Sequence, residues 1–477
     1  MKQLKCACLD GLDATCVDVE ATFTKGLPSF SIVGLANSSI QESKDRVKSA
    51  LLINEFKFPP LKITINLSPS DLAKSGTHFD LPIALLIALQ NEKSVDFKDF
   101  FVFGELGLDG TLKDTKSIFV LILSLAQAGL IKNVLVPLDS VKKVSKIPNI
   151  NVYSVKNLNA AIEFFKFSNK EDHKNSIEDF EYHCLNINEN NYFYDDKYNL
   201  DFNDVKGQII AKKAALIASA GNHNILFEGS PGCGKSMITK RLQYILPPMS
   251  LEEILEKAKL DSLDIVEPDF SPIRVFRSPH HSSTKASIFG GGSTTAKIGE
   301  VALSNNGMLF FDELPHFGKP ILEALREPLE DHKILISRVN SKINYPTKFM
   351  FVGALNPCPC GNALSSKKEC RCNDVEISRY KNRLSDPFLD RMDLFVVMNE
   401  VNSNDKSDVT SEQLHKKVLD AFMMQKRRGQ KELNGKLNDE DISKYCILKD
   451  ESKNIMEKAI ESYCLSFRAI NKILKVS

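Results

Sequence analysis

Gly229, Ser230, Pro231, Gly232, Cys233, Gly234, Lys235 and Ser236 follow one another directly, and residue types in that order suit one task. The glycines let the backbone wrap a phosphate, so that amide groups and the positive end of the following helix face its charge. Lys235 adds a mobile cation. The Ser236 hydroxyl is a ligand for magnesium, with the metal bridging the outer phosphates. The apolar run NILFE precedes this loop and MITKRLQYI follows it, the strand-loop-helix setting that a nucleoside triphosphate site of this kind requires.

Further along, Gly307 to Glu313 is an apolar strand ending in two acids. Asp312 would hold the magnesium through water, and Glu313 would polarise the attacking water. The next strand, KFMFVGALN, ends in Asn356, whose side chain could position the same water or the outer phosphate; asparagine at a strand end is also an ordinary turn former. Negative charge grows as a triphosphate is cleaved, and an arginine from a neighbouring subunit is worth roughly 10³ to 10⁵ in rate. Arg383 and Arg391 lie just before the apolar strand LFVVM, and either could project into such a neighbour. Arg468 opens a helix near the carboxyl end and could reach back to the phosphates of its own subunit.

Cys358, Cys360, Cys370 and Cys372 form C-x-C-x₉-C-x-C directly after Asn356, four thiolates within reach of one tetrahedral zinc. Reduced free thiols and redox-active pairs are the alternatives. Cys6, Cys8, Cys16 and Cys184 are scattered and read as free thiols or small core residues.

The chain has 477 residues, 43% of them hydrophobic, enough for two or three domains with their own cores. Its net charge of +1 excludes a uniformly basic coat, so contact with nucleic acid must come from local patches. One patch is acid-free and holds Arg274, Arg277, His280, His281, Lys285 and Lys297 around a flexible GGGS. A second is the hairpin-like KILISRVNSKINYP, with Asn340 and Ser341 at its turn and Arg338 and Lys342 beside it. Both could grip phosphates without regard to sequence, and both could equally be solvated loops. Leu81 to Leu89 and Ile118 to Leu130, the longest apolar runs, fall short of the roughly 20 residues a bilayer needs, so no membrane partner is expected. The amino terminus lacks a signal-peptide core, which points to the cytoplasm.

The elements that position these residues read as α/β throughout. Residues 1–165 alternate short apolar segments with helical stretches, an α+β domain; 166–198 are rich in Asn, Asp, Glu and Lys and read as a linker. Strands alternating with helices over 199–402 are the pattern of a parallel sheet covered by helices, interrupted by a Cys-rich insertion at 357–373. Residues 403–477 turn helical and polar, as a small lid would.

Four strings together resemble the magnesium-chelatase-like branch of AAA+ ATPases, and specifically the ComM/YifB family, across nearly the whole chain: FRSPHHSSTKASIFGGGS, IGEVALSNNGMLFFDELPHF, LEALREPLEDHKILISRVN, and NPCPCG followed by CRCNDVEISRYKNRLSDPFLDRMDL. The resemblance implies a homo-oligomeric ring, a hexamer, with ATP and magnesium bound between subunits. It makes Asn356 sensor one, Arg391 the arginine finger and Arg468 sensor two. ComM-type proteins are known as DNA helicases that drive branch migration during natural transformation, so the resemblance implies a motor on branched or single-stranded DNA, with recombination proteins as partners. The competing reading is a MoxR-like or Lon-like protein remodeller; metal insertion into a porphyrin would need separate large subunits. Relatives continue the helix begun at Arg468, whereas this chain stops at Ser477, which reads as an incomplete lid.

The amino-terminal segments KSGTHFDLPIAL and GELGLDGTLKDTKSIFVLILSLAQAG look like the proteolytic domain of Lon. His78 falls where the nucleophilic serine should be and Phe119 at the catalytic lysine position, so peptide hydrolysis reads as lost. Lys74, His78 and Asp80 then read as structural.

Overall fold

A computed structural model describes every residue except 1, 168–169, 177–179, 265, 292–296, 338–341 and 403. It divides into two units, Met1–Glu181 with Ala258–Asp269, and Tyr182–Lys257 with Phe270–Ser477.

In the first unit, strict alternation makes strands. Ile63, Ile65 and Leu67 are buried while their neighbours are not, and Val17, Val19 and Ala21 repeat the pattern. These segments belong to an eight-stranded mixed sheet. Its centre is the antiparallel pair Lys2–Asp10 and Asp13–Thr24, in register with Ala7 opposite Cys16. The helices Asp80–Ala88 and Lys116–Gln127 are buried over most of their length, as their all-round apolar sequences demand.

His78 and Phe119, which the sequence comparison sets at the expected Lon-like positions, are locked into this core. His78 is fully buried, with Nε2 2.9 Å from the Ala7 carbonyl and Nδ1 3.3 Å from Ser117 Oγ, and burial pushes its pKa down to about 4. Phe119 is fully buried as well. The Asp80 carboxylate is gripped by Arg46 at 2.7 and 3.1 Å and by the Leu106 amide.

The second unit holds a five-stranded parallel sheet made of β1 (Ile225–Gly229), β2 (Phe276–Arg277), β3 (Met308–Phe311), β4 (Met350–Leu355) and β5 (Leu394–Met398). Their spatial order is β2-β3-β4-β1-β5. Strands β3 and β4 are buried at every position, the continuous apolar type that a sheet covered on both faces selects. Helices α1 (Ile209–Gly221) and α2 (Lys235–Leu242) contribute to the core through Ala215, Ala218, Ile238 and Leu242, packed with Phe227, Phe310 and Val352. Beyond β5 the chain is helical, beginning with Ser411–Arg427, which Thr410 and Gln413 close with a capping box.

The segment 166–198 is not a structureless linker. Lys174–Asn175 joins the edge of the first sheet, and His183–Ile187 pairs with Asn190–Tyr194, which pairs in turn with Met249–Ser250. Asn188 and Glu189 both have positive φ, 51° and 66°, as the two-residue turn of a tight hairpin requires. The Asn-rich composition that suggests a linker is the chemistry of that turn. Ile187 and Tyr192 then pack against Phe422.

Candidate active site

The phosphate-binding loop leaves β1 at its carboxyl end, the edge of an α/β sheet where ligands bind. Gly232 and Gly234 adopt φ of 83° and 100°, conformations that side chains resist. Gly229 is needed for a different reason: a Cβ there would lie 2.7 Å from Cys233 Sγ and 2.8 Å from the Met398 carbonyl. The buried Lys235 ammonium donates to the Gly229 and Ser230 carbonyls, at 2.5 and 3.1 Å, and to Asn356 Oδ1 at 3.1 Å. Burial draws its pKa below the usual lysine range, opposed by Cys233, Asp312 and Glu313.

Ser236 Oγ donates to Asp312 Oδ2 at 2.8 Å. A hydroxyl and a carboxylate so placed are a fitting pair of hard oxygen donors for magnesium. Strands β3 and β4 are neighbours, which brings Asp312 and Asn356 to the same end of the sheet as the loop. Lys235, Ser236, Asp312 and Asn356, chosen from distant stretches of sequence, therefore form one site. Glu313 follows in the left-handed region, φ 51° and ψ 45°, a strained backbone of the kind found at functional sites. Its carboxylate lies 3.6 Å from His281 Nδ1. His281 was legible only as part of a basic stretch, and nothing local in the sequence marks this contact. The phenol of Tyr380, raised chiefly by burial, reaches the Asn356 backbone.

The arginines separate into two groups. Arg383 donates to the Pro315 carbonyl at 3.2 Å, in the turn that follows Glu313. Arg391 lies elsewhere. Its Nε donates to the Arg326 carbonyl at 3.2 Å and its Nη2 pairs with Glu330. Arg468 pairs with the same Glu330 and with Asp390, the latter at 2.8 Å, so the expectation that it reaches the phosphates of its own chain is corrected. The register explains why. Ile225 sits opposite Leu394 and Gly229 opposite Met398, so Arg391 enters at the amino end of β5 while the phosphate loop leaves the carboxyl end of β1. At a rise of about 3.3 Å per residue those ends are more than about 13 Å apart. A polar knot secures the amino ends: Asn224 Nδ2 donates to the Arg391 carbonyl at 3.0 Å, the Asn224 amide donates to Asp393 at 2.8 Å, and Lys436 donates to Asn224 Oδ1 at 3.3 Å.

Cys358, Cys360, Cys370 and Cys372 converge, with all four sulfurs within 4.8 Å of one another. The resolved separations of 3.4, 3.6 and 3.6 Å are close to the edge of about 3.8 Å expected between thiolates of a tetrahedral zinc site. The donor set fits that metal.

Of the residues expected to grip nucleic acid, Arg274 is not free to do so. It is buried, donates to the Pro247, Pro248 and Asn306 carbonyls, and pairs with Glu253 at 3.1 Å. Arg277 is half-buried with its guanidinium 3.8 Å from Glu300. Lys285 and Lys297 are exposed, at the start of the short helix Lys285–Phe289 and on a two-stranded hairpin with Gly290–Gly291. Lys342 is exposed on the hairpin Lys333–Ser337 with Lys342–Pro346, and Arg338 lies outside the described residues. Ile336 presses against Gly290 so closely that a Cβ there would fall 2.6 Å away, which sets the two hairpins side by side.

The sheet order, the phosphate loop and the paired Ser236 and Asp312 define a P-loop ATPase core, and the family matches make it a magnesium-chelatase-like AAA+ ATPase. The family described as magnesium chelatase, subunit ChlI, matches residues 201–406, its C-terminal family matches 408–477, and a further family described as subunit ChlI of Mg-chelatase matches 19–140. Competence protein ComM of Haemophilus influenzae is 38% identical over 98% of this chain and 91% of its own length. YifB of Salmonella typhimurium is 36% identical and YifB of Escherichia coli 34%, each over 98% of this chain and 90% of their own. The chain belongs to the ComM/YifB family.

Proposed function

We propose that the chain is one subunit of an ATP-driven homo-oligomeric ring, a hexamer, that moves branched or single-stranded DNA and drives branch migration in homologous recombination during natural transformation. The observation that carries the ring in this reading is the placement of Arg391 and Arg468 together at the opposite end of the sheet from Lys235, and the likeness to ComM suggests the DNA. One chain then supplies half of a site and its neighbour the other half. Beside Arg391, β5 is an edge strand with Phe395 and Val397 exposed, an apolar surface suited to a subunit contact.

Within such a site, magnesium held by Ser236 and Asp312 would neutralise the outer phosphates. Lys235 holds the phosphoryl oxygens, Glu313 takes the proton of the attacking water, and Asn356 fixes that water's direction. Arg391 and Arg468 exchange Glu330 and Asp390 for the neighbour's growing negative charge. Lys285, on its short helix, and Lys297 and Lys342, on adjoining hairpins, face the DNA backbone. The four-thiol cluster is a zinc site. Among the described residues no helix is long and apolar enough to cross a membrane, and the motor is assigned to the cytoplasm beside other recombination proteins.

The test is movement of a synthetic DNA junction by the purified full chain with ATP and magnesium at low salt, with Lys235→Ala as the control. Junction movement by the wild type alone is expected. An ATPase stimulated by unfolded protein and indifferent to branched DNA would overturn the motor in favour of a protein remodeller.

A further inference from the structure

Zinc sites often serve only to staple a loop, but this one lies between two parts of the nucleotide site. In the sequence Asn356-Pro357-Cys358-Pro359-Cys360-Gly361, the two cysteines are framed by residues that touch the phosphate-binding loop. On one side Asn356 Oδ1 accepts from Lys235 at 3.1 Å. On the other, Gly361 sits at φ +80°, its amide bonded to the Cys358 carbonyl at 3.0 Å, and a Cβ there would lie 2.6 Å from Pro231 Cδ. That glycine is required twice, for the left-handed backbone and for the close approach to Pro231.

Little else holds this segment down. From Asn362 to Glu369 every residue is half-buried or exposed, Leu364 included. Ser365 and Ser366 donate to Glu400 at 2.5 and 3.0 Å, at the rim rather than in a core. The sulfurs of Cys370 and Cys372 are what tie the far side of the loop to Cys358 and Cys360.

We propose that zinc bound by Cys358, Cys360, Cys370 and Cys372 is a clasp for the nucleotide site, holding Asn356 on Lys235 and Gly361 on Pro231, so that ATP affinity depends on the bound metal. This rests on reading the cluster as a zinc site. The cysteines act through Asn356 and Pro231 as positioning residues. Outer positioning groups of this kind typically contribute 10- to 100-fold.

The experiment uses the full chain purified without chelators and measures zinc content and the Kd for a fluorescent ATP analogue separately. One zinc per chain is expected. Cys370→Ser should lose the zinc and weaken nucleotide binding about tenfold or more, with circular dichroism unchanged, while Cys372→His, which keeps four ligands, should retain both. Gly361→Ala should keep the zinc yet weaken binding, because it shifts the loop off Pro231. Protein without zinc would sink the zinc reading and the clasp with it. Zinc lost from Cys370→Ser at an unchanged Kd would sink the clasp alone, as would Gly361→Ala binding nucleotide like the wild type.

Discussion

Mixing two inactive variants separates an arginine that serves its own chain from one that serves the next. Lys235→Ala removes the ammonium that donates to the phosphate loop and to Asn356, and Arg391→Ala removes the guanidinium held by Glu330. Each alone should lower turnover by roughly 10³ in the assembled protein. If Arg391 acts on the neighbour, a working interface needs its phosphate loop from an Arg391→Ala chain and its arginine from a Lys235→Ala chain. Random assembly of equal amounts then leaves about one interface in four whole, and phosphate release should recover to about a quarter of the wild-type rate. If Arg391 serves its own chain, no interface in the mixture is whole. The strand register favours recovery, since a guanidinium at the amino end of β5 cannot cover the more than about 13 Å to a loop at the carboxyl end of β1. The assay is steady-state phosphate release from chains mixed before assembly, at concentrations that saturate oligomer formation. A mixture no more active than the mean of its parents would refute the argument.

Glu313→Gln should bind ATP with near wild-type affinity and turn it over about 10² to 10⁴ times more slowly, seen by equilibrium binding beside single-turnover hydrolysis. Burial lowers the Lys436 pKa from 10.5 to about 8. Between those values the unfolded chain holds a proton that the folded chain has released, so stability rises with pH across that window, by about 3 kcal/mol in full; denaturant titrations from pH 7 to 10 should show the rise, and Lys436→Met should flatten it. Replacing Lys285, Lys297 or Lys342 by Ala should each reduce the salt slope of DNA binding by about one. Arg274→Ala should instead cost about 3 kcal/mol of stability, because it strands a partner of a buried pair, and should leave that slope alone.

Much of the nucleotide site was legible because its rules are local. A phosphate wrapped by amides needs glycines and a lysine at fixed spacing, and a strand ending in two acids announces its role wherever it lies. Asp312 and Asn356 depended on one further inference, that consecutive strands of a parallel sheet end on the same side. What failed needed knowledge of partners far away in the chain. Arg274 looked like any surface arginine until Glu253 and the Asn306 carbonyl enclosed it. Arg468 was expected at the phosphates of its own chain, and only Glu330 and Asp390 show that it lies elsewhere. The hairpin at Asn188 and Glu189 was missed because residues that permit positive φ in a turn are the same ones that abound in disordered segments. His281 meets Glu313 across a loop whose path no periodicity encodes.

The open edge of β5, with Phe395 and Val397 bare on it, also bears on how long a subunit survives. Unpaired backbone flanked by apolar side chains is a template for any extended chain that drifts past. In the proposed ring, closure would cover that edge and stabilise each member by mass action, so the protein would act as its own protective ligand. Dilution would then do more than slow the ATPase, because lone subunits would be the ones that aggregate or meet a protease first.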